Sequence, residues 1–117
     1  MDRTRADGFA RTWVSAWNDR DIDAILSHYH EAVVFHSPRI GQVMDTAEAC
    51  VRGKSALRTY WTKALALAPK LYFELDTVLL GSDSLTILYT NHRDQRVAET
   101  FVFDPGGQVV EAIAAYE

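Results

Sequence analysis

Glu99 is the polar residue best placed to do chemistry. It stands in Val97-Ala98-Glu99-Thr100-Phe101-Val102-Phe103 and shares the two-residue alternation of Phe101 and Phe103. If those phenylalanines face a core, the carboxyl faces it too. An apolar cavity disfavours the carboxylate, so the pKa rises and the group can give or take a proton near neutral pH. The competing arrangement pairs Glu99 with Arg96, Arg93 or His92 at a sheet end, as an ordinary ion pair.

The other candidates are weaker. His36 and Ser37 are neighbours in Phe35-His36-Ser37-Pro38, so strand alternation sends them to opposite faces and a nucleophilic dyad is not formed. His36 alone becomes a general base only if the bend at Pro38 turns it inward. His28 and His30 are two apart near a helix end, a spacing that does not put both on one helix face, and no third metal ligand follows at a recognisable distance. Cys50 is the only cysteine, which excludes an intramolecular disulfide.

The elements that would hold these groups read in order. Phe9, Trp13 and Trp17 recur every four residues, with Ala6, Ala10 and Val14 beside them, which predicts a helix opened by a Thr4–Asp7 capping box and closed at Asn18 by a left-handed cap. Asp21 caps a short second helix with Ile22, Ile25, Leu26 and Tyr29 on one face. Val33 to His36 is a short strand. Residues 40–52 lack a period and read as a loop with a helical turn around Thr46 to Cys50. From Ser55, the residues Leu57, Tyr60, Trp61, Ala64, Leu65 and Ala68 follow a helical stripe that Pro69 ends.

Beyond Pro69 the period switches to two. Leu71 to Leu80, Ser84 to His92, Val97 to Asp104 and Gln108 to Glu117 read as four strands, the last three an antiparallel meander. A four-residue turn at 93–96 would set Thr90 opposite Glu99. An odd-length turn would put Tyr89 and Asn91 on the inner face alongside Glu99, and the apolar series Leu85, Ile87, Tyr89 favours this second register. Helices first and strands after is an α+β arrangement, with three helices covering one face of the sheet. Trp17, Tyr29, Trp61, Phe101 and Tyr116 are the expected pocket lining, with the helix aromatics Trp13 and Tyr60 serving core and wall together.

The 117 residues amount to one domain, 1–117, with a net charge of −4 and scattered basic residues, which offers nucleic acid no footprint. The charged N-terminus lacks an apolar signal core, and the longest apolar run, Ala64 to Pro69, is too short to span a bilayer. A cytoplasmic protein without membrane contact is expected. No nucleotide or metal motif is present, so no cofactor is expected.

The ordered set of segments resembles the nuclear transport factor 2-like superfamily, SnoaL-like domains among them. The resemblance is carried by Trp13-Val14-Ser15-Ala16-Trp17-Asn18 with Asp21-Ile22-Asp23-Ala24-Ile25, by Phe35-His36-Ser37-Pro38, and by Gly53 to Trp61. Tyr89-Thr90-Asn91-His92-Arg93 and Phe101 to Gly107 complete it. It implies a conical sheet around one mostly apolar pocket, lined also by Phe35 and Ser37, and a small apolar or amphipathic organic ligand. It also implies a homodimer formed through the sheet, with Thr86, Thr100, Val102 and Val110 on the outward face. The family's ketosteroid isomerases carry an acid where Glu99 stands, whose protonated form donates to an oxyanion. Their tyrosine and their proton-abstracting aspartate correspond to Trp13 and Ser37, and a neutral serine is no base for a carbon acid. The expectation is a cofactor-free acid–base enzyme of isomerase, cyclase, dehydratase or hydrolase type but not of the ketosteroid isomerase mechanism, or a non-catalytic binding domain.

Overall fold

The computed structural model describes residues 1–117. Helix α1 (Arg3–Asn18) opens two residues before the predicted box. Asp2 is the cap, its carboxylate accepting from the Arg5 amide at 2.8 Å, while Asp7 lies one turn in and meets Arg3 at 3.3 Å. Asn18 does not take the left-handed conformation; the reversal falls on Arg20, at φ 56°. Asp21 caps α2 (Ile22–Leu26) as the sequence indicates.

Strand β1 (Tyr29–His36) begins four residues earlier than its β-branched core. The next segment departs from the expectation. The helical turn is α3 (Ile40–Met44), ended by Asp45 at φ 53°, and Thr46 to Ala49 is non-helical. Ile40 anchors that turn by being buried. Cys50–Arg52 forms a short edge strand, β2, against β1. Helix α4 (Lys54–Leu67) matches the stripe and buries Leu57, Tyr60, Trp61 and Leu65. With α3, four helical segments are present rather than three.

The remaining strands are β3 (Glu74–Leu80), β4 (Ser84–Thr90), β5 (Arg96–Phe103) and β6 (Val109–Tyr116). They complete a six-stranded sheet in the order β2-β1-β6-β5-β4-β3, in which only β1 and β6 run parallel. Because β1, β4 and β6 run the same way, their C-terminal ends collect at one end of the sheet. Side chains from β1, the three strands of the meander and the helices meet in a core centred on Trp13, which is fully buried. Its ring stacks on Phe73 at 5.7 Å and meets Phe101 edge-on at 5.3 Å. No helix is long and apolar enough to cross a membrane.

β3 starts at Glu74 rather than Leu71 because the chain before it is held by α1. The Asn18 amide donates to the Phe73 carbonyl at 2.9 Å and accepts from the Phe73 amide at 2.7 Å. Arg20 donates to the Ala68 carbonyl at 2.9 Å and also to the Leu65 carbonyl, satisfying acceptors that the end of α4 leaves open. Both ends of the α4–β3 connection are thus tied to the end of α1. Asn18→Ala removes both bonds from the part-buried Phe73 backbone and is expected to lower stability by about 2 kcal/mol in urea denaturation. Asn18→Asp, which keeps the acceptor, should lose less.

Candidate functional site

The β4–β5 turn decides what surrounds Glu99. The Asn91 side chain accepts from the amides of Arg93 and Gln95, and backbone bonds close the turn from Asn91 to Gln95. The loop is therefore five residues long, an odd count. Thr90 pairs with Arg96, Tyr89 with Val97, Ile87 with Glu99 and Leu85 with Phe101. Leu85, Ile87 and Tyr89 all face inward and are buried.

Glu99 is 4% exposed in this interior. No arginine or histidine reaches it; its one protein hydrogen bond is from the Tyr89 phenol to Oε1, at 3.1 Å. Oε2 has no protein partner, yet it is not among the polar atoms sealed without one. Burial pushes the Glu99 carboxyl up to about 8, against which the Tyr89 hydrogen bond acts only in part. The group is thus a neutral acid at pH 7. Tyrosines surround it. Burial, then the proximity of Glu99, raise the Tyr89 and Tyr29 phenols well above their ordinary value. Tyr60 is pushed up to about 12 by burial, and Tyr116 is raised for the same reason. Tyr29 in turn accepts from the Trp13 indole at 3.0 Å.

A cavity of about 240 Å³ opens at the end of the sheet where β1, β4 and β6 terminate. Trp17 of α1, Phe35 of β1, Tyr60 and Trp61 of α4, Tyr89 and Asn91 at the end of β4, and Tyr116 of β6 line it, seven of the residues expected there. Trp13, Tyr29, Ser37 and Phe101 do not line it. They lie deeper, where the aromatic cluster fills the narrow part of the cone. Ser37 is buried, accepts from the Arg39 amide at 3.2 Å and lies near the Tyr60 and Tyr116 phenols. Glu99 also sits behind the wall, and Tyr89 is the side chain that joins it to the cavity.

His36 does not reach the cavity. Pro38 leaves the strand's alternation intact, so the imidazole stays on the outer face, where Nε2 meets Glu111 at 3.1 Å. His28 lies edge-on to Phe9 at 5.0 Å, and His30 accepts from the Ala32 amide, so the two serve different neighbourhoods. Several wall residues escaped the sequence reading. Gln42 and Val43 come from α3, too short to show a period, Arg39 from the residue that caps it, and Leu71 and Phe73 from the tied connection before β3. His92 and Arg93 also line the mouth. The five-residue turn brings them there beside Asn91.

This architecture defines an α+β cone of the nuclear transport factor 2-like class, helices on a mostly antiparallel mixed sheet. A SnoaL-like domain family model matches residues 10–117, and the chain belongs to that family. It is similar to a SnoaL-like protein of unknown function from Burkholderia thailandensis, with 38% identity, 100% of this chain and 98% of that chain covered, and a TM-score of 0.92. It is also similar to a nuclear transport factor 2-like protein of unknown function from Cytophaga hutchinsonii (9% identity, 91% and 84% covered, TM-score 0.69). TerC, co-crystallised with polyporic acid, is a further structural relative (14% identity, 91% and 86% covered, TM-score 0.74). The last two show a shared fold alone. No curated protein matches the chain.

A raised carboxyl makes folding pH-dependent. Between the ordinary value of 4.5 and about 8, the unfolded chain has lost a proton that the folded protein keeps, so stability falls as pH rises across that window. The full loss is on the order of 5 kcal/mol. Glu99→Gln should remove this slope, so that denaturation midpoints of variant and parent diverge steadily from pH 5 to 8.5, the variant being the more stable at the upper end.

Proposed function

We propose that the chain is a cofactor-free general acid–base enzyme acting on a small, largely apolar organic molecule, with Glu99 as the proton source and Tyr89 as its contact with substrate. The observation that carries this reading is a buried carboxyl whose only protein partner is a phenol in the cavity wall. When Glu99 is protonated, its hydroxyl can donate to the Tyr89 oxygen, which frees the phenol proton for a substrate oxygen. Transfer then moves two protons in the same direction: the phenol proton to the substrate, and the carboxyl proton to the phenol oxygen. The carboxylate left behind regains its proton from water as product leaves. The arrangement suits stabilisation of a developing enolate or alkoxide in a dry site. Isomerase, cyclase, dehydratase and hydrolase chemistries all include such a step.

A binding domain without catalysis is the second reading. It is favoured by the lack of a second acid–base group inside: Ser37 stands where a base would be useful, and His92 sits exposed at the mouth. We further propose that two copies pair through the outer sheet face, where Thr86 and Thr100 bond at 2.9 Å beside the exposed Ile113.

Catalysis is tested by solvent-deuterium exchange into a panel of enolisable aryl ketones, together with hydrolysis of aryl epoxides. For any substrate turned over, the acid form is required, so kcat/KM should fall as pH rises through about 8. Glu99→Gln should lower the rate by roughly 10²–10⁴ and abolish that inflection. Equal rates for the parent and variant would leave the binding-domain reading standing.

A further inference from the structure

The cavity has a signed wall. Its lining contains Arg39 and Arg93 and no aspartate or glutamate, in a chain whose acids outnumber its lysines and arginines 16 to 12. Neither arginine is in an ion pair. The four salt bridges use Arg3, His36, Arg58 and Arg96. Arg39 is instead held by neutral groups: it donates to the Gln95 side-chain carbonyl at 2.7 Å and lies over the Tyr116 ring at 4.4 Å. One contact on Gln95 leaves most of the guanidinium's five N–H donors uncommitted. The Gln95 carbonyl also accepts from Asn91 at 3.2 Å, so the perch of Arg39 is itself fixed to the turn that carries Arg93. In the apolar part of the lining, the buried Trp17 indole N–H has no acceptor. His92 is lowered by burial, with Arg93 and Arg39 adding to the shift, as expected where positive charge is uncompensated.

From this we infer that the ligand is an amphipathic monoanion. Its aromatic or alicyclic body would lie against Trp17, Trp61 and Phe73, and its carboxylate would be taken by Arg39 at the mouth with Arg93 beside it. A fixed, planar guanidinium stacked on a ring is the cation best suited to a carboxylate, and a partly dry site strengthens the attraction. The inference rests on the cavity being a small-molecule site, as proposed above, but not on Glu99 being catalytic.

The probes are 2-naphthoate, its neutral counterpart 2-naphthamide and the cation 2-naphthylmethylammonium, titrated at pH 7.5 in low salt with tryptophan fluorescence and calorimetry as readouts. Naphthoate should bind at least about tenfold tighter than naphthamide, and the ammonium weakest. The double variant Arg39→Gln/Arg93→Gln, checked by circular dichroism for fold, should lose that preference. Arg58→Gln removes the same charge outside the cavity and should keep it. Naphthamide binding as tightly as naphthoate, or a preference that survives in the double variant, would overturn the charge assignment alone. Failure of all three to bind would overturn both it and the small-molecule reading. The preference should be unchanged in Glu99→Gln, which separates this result from that of the catalytic test.

Discussion

A carboxyl group placed in an aromatic core without a counter-ion is the constraint around which the interior is organised. An ionised glutamate there would lack the solvation that water provides, and the protein offers no cation to replace it. What it offers is a phenol, Tyr89, and around it three more tyrosines and three indoles. Every one of these groups is neutral at pH 7, so the core can be dry and polar at once. The Glu99–Tyr89 bond also fixes which face of β4 is inner, because a register slipped by one residue would withdraw Tyr89 and leave the acid unpartnered.

The mouth obeys a different electrostatic rule from the base of the cone. Deep in the core, charge is suppressed; at the rim stand two arginines, neither paired with an acid, and Arg39 is supported by an amide and a ring. The change takes place along Tyr60 and Tyr116, each close enough to feel both Glu99 and Arg39. On the reading proposed above, a substrate in the cavity would meet both a cation and a proton donor. Two such polar contacts would orient a small molecule bound there.

Much of this was legible in the sequence, for reasons visible at particular residues. The Phe9, Trp13, Trp17 stripe and the Leu57 to Ala68 stripe are long enough for their period to be unambiguous, and they became α1 and α4. The alternation of Glu99 with Phe101 was sufficient to turn the acid inward, and the apolar run of Leu85, Ile87 and Tyr89 selected the odd-length turn. The depth of each residue was less legible. Trp13 and Tyr29 share faces with true wall residues but sit further down the cone, and alternation records a face without recording depth. Gln42 and Val43 were missed because a five-residue helix carries too few positions to show a period, and Arg39, which caps it, has none. The extent of β3 was missed because it is set by Asn18, fifty-five residues away.

That remote tie has a mechanical consequence. With Asn18 clasping Phe73 and Arg20 clasping the end of α4, the connection from Leu67 to Phe73 cannot swing without dragging α1, and the Asn91 turn is cross-braced by its own side chain. The rim is therefore stiff on two sides. The third side, α3 with the short exposed stretch after Asp45, is held differently: Gln42 makes no side-chain hydrogen bond there. The rim is thus braced by hydrogen bonds on two sides and by apolar anchorage on the third, where Ile40 is buried and Val43 and Met44 pack against the core.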